Sequence, residues 1–277
     1  VKFQDHGEKV GSLQRIVMMK ARVVPQPPKV EVDPSGWLIN NQLAQFMIMH
    51  TDEIKYMCML GYTFLHGAKI FKYTETSAPV SYKFISMILA CTGGGILVPI
   101  FINSIPVPLS TDAYPVAIIV SFLLHLFFPI LRDVMKYSTL FHGLIVFLYE
   151  TQRAAVVFKL TKAAGYAIPP SDFSIAIFGP IFCGAIAGCG GAFLPLNKGL
   201  DPLKNGLAPN MISALFGASF IHLFLKTSLS KGVKDAASKA HFLVALAFVI
   251  LGWIQTFEID VMKVFQKKPA PIKTKKE

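Results

Sequence analysis

Long apolar runs alternate with short polar breaks along this chain. Residues 54–71, 84–105, 113–131, 138–158, 173–196, 208–225 and 240–257 are each dominated by apolar side chains. A helix of about 20 apolar residues spans the hydrocarbon of a bilayer. The pattern therefore predicts an all-α membrane protein with seven transmembrane helices. The breaks carry residues that end helices. Residues 74–79 form a loop closed by Pro79, Pro106 and Pro108 follow the second run, Phe127-Phe128-Pro129 ends the third, and Pro169-Pro170 separate the fourth from the fifth. Arg132, Asp133 and Lys136 make a charged turn, residues 197–205 are polar, and residues 226–239 form a basic loop.

The first run is the least apolar, because it holds Lys55, His66 and Lys69. Ahead of it, residues 1–52 read as a polar, basic N-terminal arm without a cleavable secretory pattern. Within that arm, residues 9–22 carry Lys9, Arg15, Lys20 and Arg22 and no acid. They read as a surface-lying amphipathic helix, the remnant of an organelle-targeting segment, or a solvated tail. Residues 36–49 are apolar but too short and too polar-spotted for a span. At the other end, residues 258–277 form a lysine-rich tail whose composition predicts disorder.

Two of the apolar runs contain glycine clusters. Gly93-Gly94-Gly95 is followed by Pro99, and Gly190-Gly191 by Pro195. In water such clusters mark turns. Within a span they mark a helix that is broken or closely approached, with backbone polar groups freed at membrane depth. The clusters belong to an internal repeat. Pro99 and Pro195 stand 96 residues apart, as do Pro106 and Pro202, and His125 and His222 follow at nearly that offset. The pattern gives a membrane domain of residues 53–257, with repeat one at 53–131, repeat two at 138–225 and a seventh span at 240–257. Three spans per repeat force the second copy upside down. Inverted repeats typify transporters and channels, whose working site lies near the midplane where the copies meet.

Composition narrows the classes. The chain is 53% hydrophobic and 16% charged, with a net charge of +11. The basic residues lie between apolar runs and in the tails, not in a stripe interleaved with aromatics, so they indicate a membrane protein and not a nucleic-acid binder. Basic residues beside the spans orient the C-terminus toward the cytosol or an organelle matrix, although the basic loop at 226–239 opposes this. Cys58, Cys91, Cys183 and Cys189 lie in or beside spans and read as small packing residues. There is no Gly-x-Ser-x-Gly, His-Glu-x-x-His or Walker sequence, and the histidines lack metal-ligand spacing, so no enzyme is expected.

Glu150 and Arg153 are the residues most suggestive of chemistry. Charges inside a span are costly and face a partner or a cavity. A spacing of three puts both on one helix face. They either pair and hold helices together, or line a hydrated path or hold a lipid phosphate, to which arginine's planar fork is suited. His125 and His222 are either satisfied by a neighbouring helix or line a pore.

Gly93-Gly94-Gly95-Ile96-Leu97 resembles the Gly-Gly-Gly-Ile-Leu of trimeric intracellular cation channels. Gly188-Cys189-Gly190-Gly191 resembles that family's fifth-span glycine motif. Tyr149-Glu150-Thr151-Gln152-Arg153 stands where the family has Lys-Glu-Val-x-Arg, and Phe127-Phe128-Pro129 looks like its aromatic-Cys-Pro end to the third span. The resemblance covers roughly residues 52–257. It implies a homotrimer in an intracellular membrane, with one pore per subunit passing potassium and other monovalent cations; the endoplasmic reticulum is the expected membrane and the mitochondrial inner membrane the alternative. It also implies that Tyr149, Glu150, Gly93, Gly94, Gly95, Gly190 and Gly191 form pore or gate, and that Arg153 with Gly94 and Gly95 holds the head group of an inositol phospholipid; no cofactor is expected beyond such a lipid. Tyr149 replaces the family's lysine and removes a charge. That departure keeps a second expectation open, a non-conducting accessory subunit of a larger membrane complex. A secondary transporter is a third.

Overall fold

The computed structural model describes residues 33–74, 76–170, 174–194 and 200–259. The arm before residue 33, Pro195, Lys198 and the tail after residue 259 lie outside the described residues. The chain divides into two units at Pro34–Ser35. The first contributes only residues 33 and 34 to the described residues; the second holds all the helices.

The described residues form helices and no strand. These are α1 (Gln42–Met47), α2 (Asp52–Tyr73), α3 (Val80–Phe101), α4 (Val107–Ser110), α5 (Ala113–Phe127), α6 (Ile130–Tyr137), α7 (Thr139–Ala167), α8 (Phe178–Cys189), α9 (Pro209–Lys226) and α10 (Ala236–Thr256). Each of the seven apolar runs contributes one long helix: α2, α3, α5, α7, α8, α9 and α10. By length and composition α3 and α10 can cross a membrane alone, and α5 with α6 makes a third candidate. The other four break early or carry charges. Seven is therefore the number of long helices, not a number of crossings set by apolarity.

Local chemistry sets the boundaries. The Thr51 hydroxyl caps α2 by accepting from the Ile54 N–H, and Asp52 and Glu53 follow in the first turn, where the helix dipole favours acids. The Ser138 hydroxyl caps α7 in the same way at Phe141. Between them, Pro129 lacks an N–H to continue α5, and α6 leaves at 90°. The two glycine runs behave differently. α3 continues through Gly93–Gly95 and past Pro99, whereas α8 stops at Cys189 and tightens into a 3-10 turn, Gly190–Phe193. Of the two expected outcomes, a break or a close approach, the first cluster shows the close approach alone and the second shows both. α3 stays whole because its glycines face another backbone closely, and that packing offsets their poor helix propensity of about 1 kcal/mol each.

Helices α2, α3 and α5 pack together, as do α7, α8 and α9, and the halves meet through α2 with α7 and α3 with α8. The centre of this meeting is the α3–α8 crossing. A Cβ on Gly94 would run into the Ala187 backbone, and one on Gly191 into the Ala90 backbone. Gly93 abuts Gly190–Gly191, while Gly190 abuts Gly93–Gly94. These contacts are reciprocal at a spacing of 97 residues, the spacing of His125 and His222, which revises the 96-residue register of the proline match. On α2 and α7 the spacing becomes 98. It relates Asp52 to Glu150, Lys55 to Arg153, Thr63 to Thr161 and Gly67 to Gly165.

α10 stands outside the repeat. Its Ala245, Phe248 and Val249 pack into a buried cluster with Ala154 and Val157 of α7 and Ala214, Ala218 and Ile221 of α9. Ile39, Ala44 and Met47 join that cluster, so residues 36–49 fold as a strap over α10 instead of standing off as an arm. The Asn41 side chain caps α1, and the Lys239 ammonium donates to Ser35 Oγ at 2.8 Å and to the Lys234 carbonyl at 2.7 Å.

Candidate pore and charged groove

α7 separates two cavities, and helical geometry decides which residues enter each. Residues 149, 152, 156 and 159 recur at three- and four-residue steps and share one face. Glu150 and Arg153 are rotated by about 100° per residue onto the next.

The first cavity, 430 Å³, lies among α2, α3, α5 and α7. Its mouth is at the end where α2 and α5 begin, marked by Lys55, Thr111 and Lys159. Deeper in, a few neutral polar groups are set into a largely apolar wall. Gln152 donates to the Tyr114 hydroxyl at 2.5 Å, and its buried Oε1 has no protein partner among the described residues. The Thr92 hydroxyl lines the wall while donating to the Ile88 carbonyl at 2.6 Å. Gly94 and Gly95 also line it, and having no side chains they present backbone. Pro99 cannot donate to the Gly95 carbonyl, which frees an acceptor here. No carboxylate is among the lining residues.

Tyr62 lines the same cavity and donates through its hydroxyl to the Cys91 carbonyl of α3 at 3.2 Å. Tyr149 is not among the lining residues. Its ring stacks on Tyr62 at 5.0 Å and 12°, with His66 at 5.3 Å and the Lys69 ammonium 5.1 Å from its centroid. Tyr149 is 7% exposed. The pair of tyrosine rings thus joins α2 to α7 beside the cavity, with a lysine supplied by α2 above them.

The second cavity, 770 Å³, is an almost wholly apolar groove among α7, α9 and α10, with Glu150 and Arg153 in its wall. Arg153 is 3% exposed. Its Nε and Nη2 reach Glu150 Oε2 at 2.7 Å, Nη1 donates to the Asn210 carbonyl at 2.9 Å, and Nη2 to Ser213 Oγ at 2.9 Å. The guanidinium also lies 4.2 Å from the Phe248 ring centroid. Gly252 makes room for this pair, because a Cβ there would meet Glu150 Cγ at 2.7 Å. The repeat-related pair, Lys55 with Asp52 at 2.5 Å, is largely exposed. α10 covers the second pair, and among the described residues no helix covers the first in the same way.

Of the residues expected at a pore, Gly94 and Gly95 line the first cavity, Gly93, Gly190 and Gly191 form the crossing behind it, and Tyr149 backs Tyr62. Glu150 and Arg153 face the groove on the other side. His125 Nε2 bonds the Phe64 carbonyl at 2.8 Å and His222 Nε2 bonds the Ala176 carbonyl, so both reach backbone acceptors. Sequence reasoning passed over Tyr62, Thr92, Tyr114 and Gln152. The stripe of residues 149, 152, 156 and 159 on α7 was the available signal for Gln152. The other three had none of their own, because a tyrosine or threonine in an apolar run reads as packing.

No family profile and no curated protein matches the chain. Among solved structures it is similar to a trimeric intracellular cation channel from C. elegans, determined in the absence of Ca2+. The TM-score is 0.59 with 15% identity, over 83% of this chain and 96% of that one. The chain has the fold of that channel, which is not an enzyme.

Proposed function

We propose that the chain is a passive monovalent cation pore of an intracellular membrane, favouring potassium, assembled as a homotrimer with one path per subunit. The observation that carries this is the cavity against the α3–α8 crossing, where Gln152, Tyr114, Thr92 and the glycine backbone set neutral oxygens into a largely apolar wall. Carbonyl, amide and hydroxyl oxygens can replace the water around a monovalent cation. The path enters past Lys55 and Lys159, runs by Gln152, Tyr114 and the Gly95 carbonyl, and is blocked at the stacked Tyr62 and Tyr149 rings. Opening requires these rings to part. The shared fold with a trimeric cation channel supports the reading, and the membrane we favour is the endoplasmic reticulum, with the mitochondrial inner membrane as the alternative. An inositol phospholipid at Arg153 would compete with Glu150, Asn210 and Ser213 for the guanidinium.

The lysines at the mouth and the filled tyrosine layer favour a second reading, in which the chain keeps the channel fold as a non-conducting subunit of a larger complex. Potassium efflux from liposomes holding the purified chain separates the two. Efflux that exceeds empty liposomes and stops when potassium is replaced by a large organic cation supports the pore. No efflux, with the solubilised protein isolated as one copy among unrelated subunits, supports the accessory reading.

A further inference from the structure

A third cavity lies apart from both sites, at the end of the bundle where α7 and α9 finish and α10 begins. It measures 150 Å³, room for one tetrahedral oxyanion, and its lining includes Lys162, Tyr166, His222, Lys226 and Ala237. The two lysines come from different helices and are positioned by rings and packing. The Lys226 ammonium lies 4.2 Å from the Tyr166 ring centroid, and Lys162 lies 5.1 Å from that of Phe158. The Lys226 stem packs on α7 beside Gly165, where a Cβ would stand in ordinary contact with Lys226 Cε at 3.5 Å. Neither Lys162 nor Lys226 shares the ion pairs that join Lys55 to Asp52, Arg153 to Glu150 and Lys204 to Asp201.

The surroundings add to the positive potential. Residues 159–167, at the end of α7, hold Lys159 and Lys162 and no acid. Depth follows from α10, which is long and apolar enough to cross a membrane. Ala237 in its first turn sets the cavity at the level of lipid head groups on that side. Its exposed Tyr166 is a residue type that favours this boundary.

We propose that this cavity binds a phosphate group, with Lys162 and Lys226 closing on it from α7 and α9. The phosphate belongs either to an anionic phospholipid or to a soluble phosphate. The site ties the α7 and α9 ends to the start of α10, and its occupancy stabilises the bundle at that end. It stands independently of whether the chain conducts.

The test uses the full chain in a mild neutral detergent and reads the thermal unfolding midpoint with inorganic phosphate, with phosphatidate in mixed micelles, and with phosphatidylcholine as a neutral control. Wild type should gain stability with phosphatidate or with inorganic phosphate, but not with phosphatidylcholine. A response to phosphatidate alone assigns the lipid source, and a response to inorganic phosphate assigns a soluble one. Lys162→Gln with Lys226→Gln should weaken the response at least about tenfold in ligand concentration, as expected for losing charge-assisted hydrogen bonds. Lys231→Gln, on the same loop but outside the cavity, should leave it unchanged. If the double variant does not fold, Lys226→Gln alone is read in the same way. No response from either phosphate, a response retained by the cavity variants, or an equal loss in Lys231→Gln overturns the proposal.

Discussion

Replacing Gly94 by alanine adds one methyl group where the α3 and α8 backbones meet. Two of the atoms it would meet are the Ala187 carbonyl carbon at 2.7 Å and Cα at 2.8 Å. Ordinary contact begins near 3.5 Å, so the helices must part by the better part of an ångström. A flexible side chain could turn aside, but backbone cannot. An extra methyl in a packed core costs about 1–3 kcal/mol, and here the upper end applies. Removing a glycine from a helix returns about 1 kcal/mol, which leaves a net loss of about 2 kcal/mol. For a chain of this size that lowers the unfolding midpoint by about 4–8 °C. Gly143→Ala is the matched comparison, because its Cβ would first meet Phe257 Cζ at 3.6 Å. That variant keeps the propensity gain without the clash and should match or exceed wild type. Both are measured as midpoints of thermal unfolding in the same detergent at one scan rate. Equal midpoints for Gly94→Ala and Gly143→Ala would refute the close crossing.

Other substitutions probe the charged pair, the tyrosine stack and the cavity wall. Glu150→Gln leaves the Arg153 guanidinium buried against a neutral group, and an uncompensated buried charge should cost about 3–5 kcal/mol. The midpoint should fall by several degrees, and Glu150→Leu with Arg153→Met should recover most of that loss. Tyr149→Lys brings an ammonium to the ring position that Lys69 already overlies, and removes the Tyr62 stack. It should lower the midpoint by an amount equal to about 0.5–1.5 kcal/mol for the lost ring pair and further for the buried ammonium, whereas Tyr149→Phe should not. Gln152→Leu leaves the Tyr114 hydroxyl without its donor and should cost about 1–3 kcal/mol in the same measurement.

Much of the architecture was legible because its signals are local. Pro129 ends α5, and glycine clusters mark the place where two helices touch. The register was not legible. The repeat runs at 97 residues on one helix pair and 98 on another, while the proline match suggested 96. A one-residue shift turns a helix by about 100°, which is enough to exchange cavity for core. The same rotation explains the site. Glu150 and Arg153 stand out in an apolar run because charge is conspicuous there, yet they satisfy each other beneath α10. Gln152, one residue from Arg153, faces the cavity. The docking of residues 36–49 was hidden for another reason. It rests on long-range contacts that no local pattern encodes: Ile39, Ala44 and Met47 pack with α10, and Lys239 bonds Ser35 across 204 positions.

On the proposed mechanism, the cavity beside the glycine crossing conducts cations once the tyrosine pair parts. Recording from the purified chain in a planar bilayer under a potassium chloride gradient tests this, with wild type compared against Tyr62→Ala. Unitary currents that reverse near the potassium equilibrium potential are expected, with a higher open probability in Tyr62→Ala. Silence from both proteins at every voltage, or currents that reverse near the chloride potential, would contradict it.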